Sequence, residues 1–119
     1  MEKQLTVLIV DDEPIIQLFA KEFLDEANFN TVLASNADEA IAALERHSDI
    51  RAVITDVQMP GSMDGVRLAN AVRHRWPPIA IIVTSGQWPV PPALPENSRF
   101  FHKPFRPQDI ISAVHELVN

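Results

Sequence analysis

Along this chain five short apolar runs alternate with four stretches in which apolar residues return every three or four positions. Residues 5–10 (LTVLIV) are apolar throughout apart from Thr6, the signature of a strand buried on both faces. Pro14 suits the first turn of a helix, in which Ile16, Phe19, Ala20, Phe23 and Ala27 recur at helical spacing. Residues 31–34 form a second strand. Asn36 followed by Glu39 is a capping box that opens a helix with Ala40, Ile41 and Leu44 on one face. Residues 52–55 give a third strand, and residues 65–75 a helix through Val66, Ala69 and Val72, stopped by Trp76-Pro77-Pro78. Residues 79–83 and 99–102 are the fourth and fifth strands. Pro107 opens a last helix with Ile110, Ala113, Val114 and Leu117 facing inward. Strict alternation of this kind predicts an α/β domain, a parallel sheet with helices on both faces.

One segment breaks the rhythm. Between the fourth and fifth strands lies SGQWPVPPALPENS, with four prolines within residues 89–95. A proline inside a helix costs about 3 kcal/mol or more, so an extended or polyproline-like loop is expected here in place of a crossover helix. Trp88 in this loop reads equally as a core plug or as an anchor for a partner. The loop joins two elements of one sheet, so it is not a boundary, and residues 1–119 read as a single domain without internal repeats.

Composition narrows the chemistry. The chain has no cysteine, which excludes disulfides, thiolate metal sites and thiol catalysis. A net charge of −6 argues against binding a nucleic-acid backbone, which selects a basic face. The first apolar run is too short for a membrane span and runs directly into Asp11 and Asp12, unlike a signal peptide, so the cytoplasm is expected. His47, His74, His102 and His115 lack metal-ligand spacing and read as surface or strand-end residues.

The informative polar residues follow the apolar runs: Asp11 and Asp12 after the first, Asp56 after the third and Lys103 after the fifth. In a parallel sheet those carboxyl ends converge on one crevice. Three carboxylates there repel one another unless a cation neutralises them, and ligation by oxygen alone points to Mg²⁺. Taken by itself, the Asp-Asp pair ahead of Pro14 would read as acid placed favourably at a helix N-terminus.

LIVDDEP, ITDVQMP with a following MDG, VTSG and FHKPF, in this order and spacing, resemble the receiver domain of two-component response regulators across essentially the whole chain. The resemblance implies a flavodoxin-like fold with strand order 2-1-3-4-5, here with the fourth helix missing or reduced. It implies that Asp56 accepts a phosphoryl group from a sensor histidine kinase or a histidine phosphotransfer protein. Asp11, Asp12, Asp56 and the main-chain carbonyl of Gln58 would bind Mg²⁺; Lys103 would pair with the phosphoryl group, and Thr84 would donate its hydroxyl to it. By the same resemblance Lys103–Pro104 is a cis peptide and Thr84 and Phe100 form a switch, although Phe100 is core in any case.

Three features depart from the family pattern. MPGSMDG holds one residue more than usual, so the loop after Asp56 must bulge or turn differently around Gly61. Ser85 stands where a smaller residue is common, and the lost helix means that the partner surface cannot be borrowed from relatives. Two other classes compete with the receiver. A non-phosphorylated pseudo-receiver acting as an interaction module is disfavoured by the presence of Asp11, Asp12, Asp56, Thr84 and Lys103 together. An aspartate-nucleophile phosphohydrolase similar to haloacid dehalogenases would carry Asp-x-Asp after the first strand, where this chain has adjacent aspartates. Flavodoxin-like cofactor binding is weaker still, since none of the three glycines builds a phosphate-cradling loop. The expected role is therefore signalling, with only Mg²⁺-dependent self-phosphorylation and autodephosphorylation as intrinsic chemistry.

Overall fold

The alternation of buried runs and amphipathic stretches folds into a five-stranded parallel sheet whose strands, counted along the chain, lie in the order 2-1-3-4-5. The structure is a computed structural model that describes residues 4–59, 61, 63–86 and 93–118. In chain order the elements are β1 (Thr6–Val10), α1 (Pro14–Glu26), β2 (Asn30–Ala34), α2 (Ala37–Arg46), β3 (Ile50–Asp56), α3 (Gly65–Arg75), β4 (Ala80–Ser85), β5 (Ser98–His102) and α4 (Pro107–Val118). Four helices thus lie among the described residues, and residues 93–97, which lead into β5, are not helical. Residues 87–92 of the proline-rich loop, Trp88 included, fall outside the described residues.

Both faces of the central strands are buried, as their unbroken apolar runs require. Leu8, Val10, Val53, Ile81 and Val83 pack on one face against Ala40 and Leu44 of α2 and Leu68 and Val72 of α3. Val7, Ile9, Ala52, Ile54 and Ile82 pack on the other against Phe23 and Leu24 of α1 and Ile110 and Val114 of α4. The period of two along each strand feeds two separate cores. No helix among the described residues is long and apolar enough to cross a membrane.

Local signals mostly act as their chemistry dictates. Asn36 Oδ1 accepts from the Glu39 main-chain N–H at 2.8 Å, while the Glu39 carboxylate reaches the N–H of Ser35 at 2.7 Å, one residue earlier than in a reciprocal capping box. The strands run further than their apolar runs. Asp56, Thr84 and Ser85 are polar, yet the hydrogen-bond ladder includes them and pairs Asp56 with Thr84. The apolar stripe of α1 is wider than the surface that covers it: Leu24 is fully buried, Ile16 is only partly buried, and Phe19 is 48 % exposed. The longer loop after Asp56 places Gly61 at φ +106°, a conformation that side chains disfavour.

One arginine ties the chain leaving the proline-rich loop to the body of the domain. The Arg73 guanidinium donates to the carbonyls of Glu96 (2.8 Å), Asn97 (3.2 Å) and Pro77. Asn97 in turn accepts from Ile81 of β4 at 3.1 Å, so this one side chain fixes where β5 begins. Charge-assisted bonds of this kind are worth about 1.5–3 kcal/mol when shielded, less when solvated. Arg73 is half-buried. Arg73→Ala is therefore expected to cost about 1–2 kcal/mol in urea unfolding and to speed amide exchange in β5 more than in β1.

Candidate functional site

The ends of β1, β3, β4 and β5 together form a recess of about 280 Å³ lined by Asp12, Glu13, Asp56, Gln58, Gly86 and Lys103. Asp11 leaves β1 with its N–H bonded to the Ala34 carbonyl of β2 at 3.1 Å, and its carboxylate accepts the Glu13 N–H at 2.9 Å. Gln17 from α1 donates to the carbonyls of Asp11 (3.2 Å) and Ala34 (2.9 Å), closing the joint between those strands. Asp56 ends β3, and the Val57 N–H that follows bonds to the Thr84 carbonyl at 2.9 Å. The Lys103 N–H bonds to the Ser85 carbonyl at 2.9 Å, and the Lys103–Pro104 peptide is cis. Pairing of backbone groups thus sets the side chains that face the recess.

Asp11 and Asp56 are each only 5 % exposed, whereas Asp12 faces solvent. One carboxylate oxygen from each of the three lies within 4.8 Å of the others. Lys103 Nζ stands 3.4 Å from Asp56 Oδ1 and 3.6 Å from Asp11 Oδ2. At that distance the charges attract, but the alignment makes no hydrogen bond, and buried Asp56 Oδ1 is left without a hydrogen-bond partner. Burial pushes the Asp56 carboxyl above the ordinary carboxylate range; Lys103 opposes the shift, and the charges of Asp11 and Asp12 add to it. Burial raises Asp11 as well, against the Glu13 N–H and Lys103, with Asp12 and Glu13 reinforcing it. Three carboxylates facing one ammonium leave the recess short of positive charge. Hard oxygen donors and an orphaned buried anionic oxygen suit a divalent cation such as Mg²⁺.

The sequence-predicted residues converge here with two qualifications. Thr84 sits beside Asp56 in the sheet register, buried at the end of β4. Phe100 lies lower on β5, opposite Val83, half-buried against the core shared with α2 and α3 and 4.9 Å from the His102 ring. Phe105 packs edge-on to Phe23, as a structural residue.

Three further contributors lie inside the motifs LIVDDEP, MDG and VTSG, where the sequence alone assigns them no role in the recess. Glu13 lines the recess and anchors Asp11 through its main chain. Ser85 Oγ donates to Gln58 Oε1 at 3.0 Å. Gly65, the first residue of α3, lies so close behind Asp56 that a Cβ there would come within 2.0 Å of the Asp56 carbonyl oxygen.

The family model for the response regulator receiver domain matches residues 7–115, and the chain belongs to that family: it is a receiver domain of two-component signalling, built to accept a phosphoryl group. Over 85 residues it is 45% identical to the hydrogenase transcriptional regulatory protein HoxA of Cupriavidus necator, covering 71% of this chain and 17% of that protein. It is 30% identical to the transcriptional regulatory protein SrrA of Staphylococcus aureus, over 94% of this chain and 47% of SrrA. The chain therefore spans less than half the length of these curated relatives. Among solved structures, a response regulator receiver protein from Sinorhizobium medicae superposes with a TM-score of 0.85 at 30% identity, covering 98% of this chain and 96% of the other. A receiver domain protein from Clostridium thermocellum gives 0.88 at 25% identity, with 96% and 94% covered.

Proposed function

We propose that Asp56 is the phosphoacceptor, taking a phosphoryl group from the phosphohistidine of a sensor histidine kinase or a histidine phosphotransfer protein. The observation that carries this is Asp56 Oδ1, an anionic oxygen at the recess with a lysine 3.4 Å away and no hydrogen bond to hold it back. In the transfer, a carboxylate oxygen of Asp56 forms the bond to phosphorus. The bond from phosphorus to the donor imidazole breaks, and its electron pair returns to that nitrogen. Such a step asks the protein for positioning and charge neutralisation. Lys103 supplies a point charge for the phosphoryl oxygens, and the Thr84 hydroxyl a hydrogen bond. Asp11, Asp12, Asp56 and the Gln58 main-chain carbonyl would hold Mg²⁺, which when bound neutralises charge on the phosphoryl oxygens.

A protein donor has a surface to approach. Ile15, Leu18 and Phe19 of α1 are exposed, and Ile16 and Phe19 line an apolar groove that continues into Lys103, Pro104 and Phe105 beside the recess. Drawing Thr84 toward the phosphoryl group, with Phe100 turning inward, would be the switch. The role is cytoplasmic signalling within one receiver domain, without contact to nucleic acid or membrane.

Uptake of phosphoryl from acetyl phosphate is expected to stop when Mg²⁺ is chelated. Asp12→Ala should weaken Mg²⁺ binding, followed by NMR shifts, by at least the roughly tenfold loss that follows removal of even an outer partner of a metal site. Undiminished uptake in chelator, or an unchanged Mg²⁺ affinity in the variant, would contradict the assignment.

A further inference from the structure

The two aspartates that follow β1 are held by different means. The Asp11 carboxylate is buried, accepts the Glu13 N–H at 2.9 Å and faces Lys103. The Asp12 carboxylate faces solvent and makes no hydrogen bond among the described residues, so its main chain alone aims it at the recess. The start of α1 does little to steady that chain, because Glu13 at the N-terminal cap gives no side-chain hydrogen bond. Gln17 steadies it instead. Its own N–H closes the first helical turn on the Glu13 carbonyl at 3.0 Å, and its side chain reaches back toward the sheet. There Nε2 donates to the Asp11 carbonyl at 3.2 Å and to the Ala34 carbonyl at 2.9 Å, the same carbonyl that takes the Asp11 N–H at 3.1 Å. Both acceptors are carbonyl oxygens, so the carboxamide faces them through its nitrogen, with both N–H groups spent. The peptide plane between Asp11 and Asp12 is thus fixed by a side chain that does not line the recess.

We propose that Gln17 is a positioning residue that, by fixing the Asp11–Asp12 peptide, sets both the affinity for Mg²⁺ and the preference for Mg²⁺ over Ca²⁺. This rests on the reading of Asp11 and Asp12 as metal ligands. Rotation of that peptide swings Asp12 relative to Asp11 and changes the spacing of carboxylate oxygens that now lie within 4.8 Å of one another and of Asp56. Mg²⁺ tolerates little such change. It demands nearly octahedral geometry at about 2.0–2.1 Å, whereas Ca²⁺ accepts flexible shells of oxygens at about 2.3–2.6 Å. A joint held through both the N–H and the carbonyl of Asp11 therefore favours the smaller ion. With the Gln17 donor removed, the Asp11 carbonyl regains a partner by turning toward water, and Asp12 turns with it.

The test measures Mg²⁺ and Ca²⁺ affinities of wild type, Gln17→Met, Gln17→Asn, Leu24→Val and Asp12→Ala by NMR shifts, beside urea unfolding of each without metal. Methionine keeps an unbranched stem but cannot donate, and the asparagine amide is one methylene too short to reach both carbonyls. Each Gln17 variant should weaken Mg²⁺ binding by about threefold to tenfold, the worth of one net hydrogen bond, and Ca²⁺ binding by about twofold or less. Leu24→Val, a change on the buried face of α1 two turns further on, should lower stability and leave both affinities at their wild-type values. The change in ion preference is a readout that a merely loosened helix would not give. Unchanged Mg²⁺ affinity in the Gln17 variants overturns the proposal, as does an equal loss for both ions or the same loss in Leu24→Val. In those cases weaker Mg²⁺ binding by Asp12→Ala leaves the metal reading standing; an Asp12→Ala protein that binds Mg²⁺ as wild type does overturns both.

Discussion

Gly65→Ala is expected to destabilise the domain by about 3 kcal/mol or more and to lower its melting temperature by roughly 10 °C. Helix propensity argues the other way, since alanine in a helix is favoured over glycine by about 1 kcal/mol. Contact geometry decides the sign. The added Cβ would lie 2.0 Å from the Asp56 carbonyl oxygen, 2.8 Å from its carbonyl carbon and 2.9 Å from Val57 Cα. All three are main-chain atoms at the end of β3, held by the bond from Gly65 N–H to the Val57 carbonyl at 2.9 Å, and none can swing aside as a side chain would. Either α3 lifts off the sheet or the end of β3 moves and carries the Asp56 carboxylate with it, so phosphoryl uptake should fall together with stability. Thermal unfolding measured beside Ala69→Gly, a helix-interior change without this clash, separates contact from propensity. A Gly65→Ala protein as stable as wild type would show that the close approach is not rigid.

Asp56→Asn should abolish phosphoryl uptake and, without metal, make the fold more stable. The amide has no anionic oxygen to attack phosphorus, whereas the carboxylate is buried, leaves Oδ1 without a hydrogen bond and stands near the like charges of Asp11 and Asp12, with Lys103 opposing them. An acid whose folded pKa is raised holds its proton more tightly in the native state than in the unfolded chain. Stability then falls as pH rises from the unfolded value near ~3.9 through the raised native value, and the loss is complete above it. Asn carries no such penalty. The variant should therefore lead wild type by about 1 kcal/mol or more at neutral pH in chelator, and the gap should close as pH falls toward ~4. Added Mg²⁺ should narrow the gap from the other side by stabilising wild type more. A variant less stable than wild type at neutral pH in chelator would mean that the ion pair with Lys103 outweighs burial.

Asp56, the acidic pair and the lysine were legible because each directly follows a short apolar run, and in a parallel sheet every such run delivers its next residue to the same edge. Strand order came through the family resemblance, since periodicity fixes that strands exist and not how they neighbour. What stayed hidden depends on distance between backbones far apart in sequence. Nothing local to Gly65 announces the Asp56 carbonyl behind it, and nothing near Arg73 announces carbonyls at Glu96 and Asn97. The pairing of Ser85 with Gln58 likewise exists only once β3 and β4 are adjacent. Phe19 shows the opposite failure: its place in a helical apolar stripe predicts burial, but periodicity reports which way a residue faces and not what covers it, and Phe19 remains 48 % exposed.

The most direct measurement is the intact mass of the protein after incubation with Mg²⁺ and acetyl phosphate, followed by borohydride trapping and peptide mapping of the modified aspartate. A gain of one phosphoryl group is expected, confined to the peptide that carries Asp56 and absent from Asp56→Asn. No gain by wild type, a group mapped to another residue, or equal gain by the variant would contradict it.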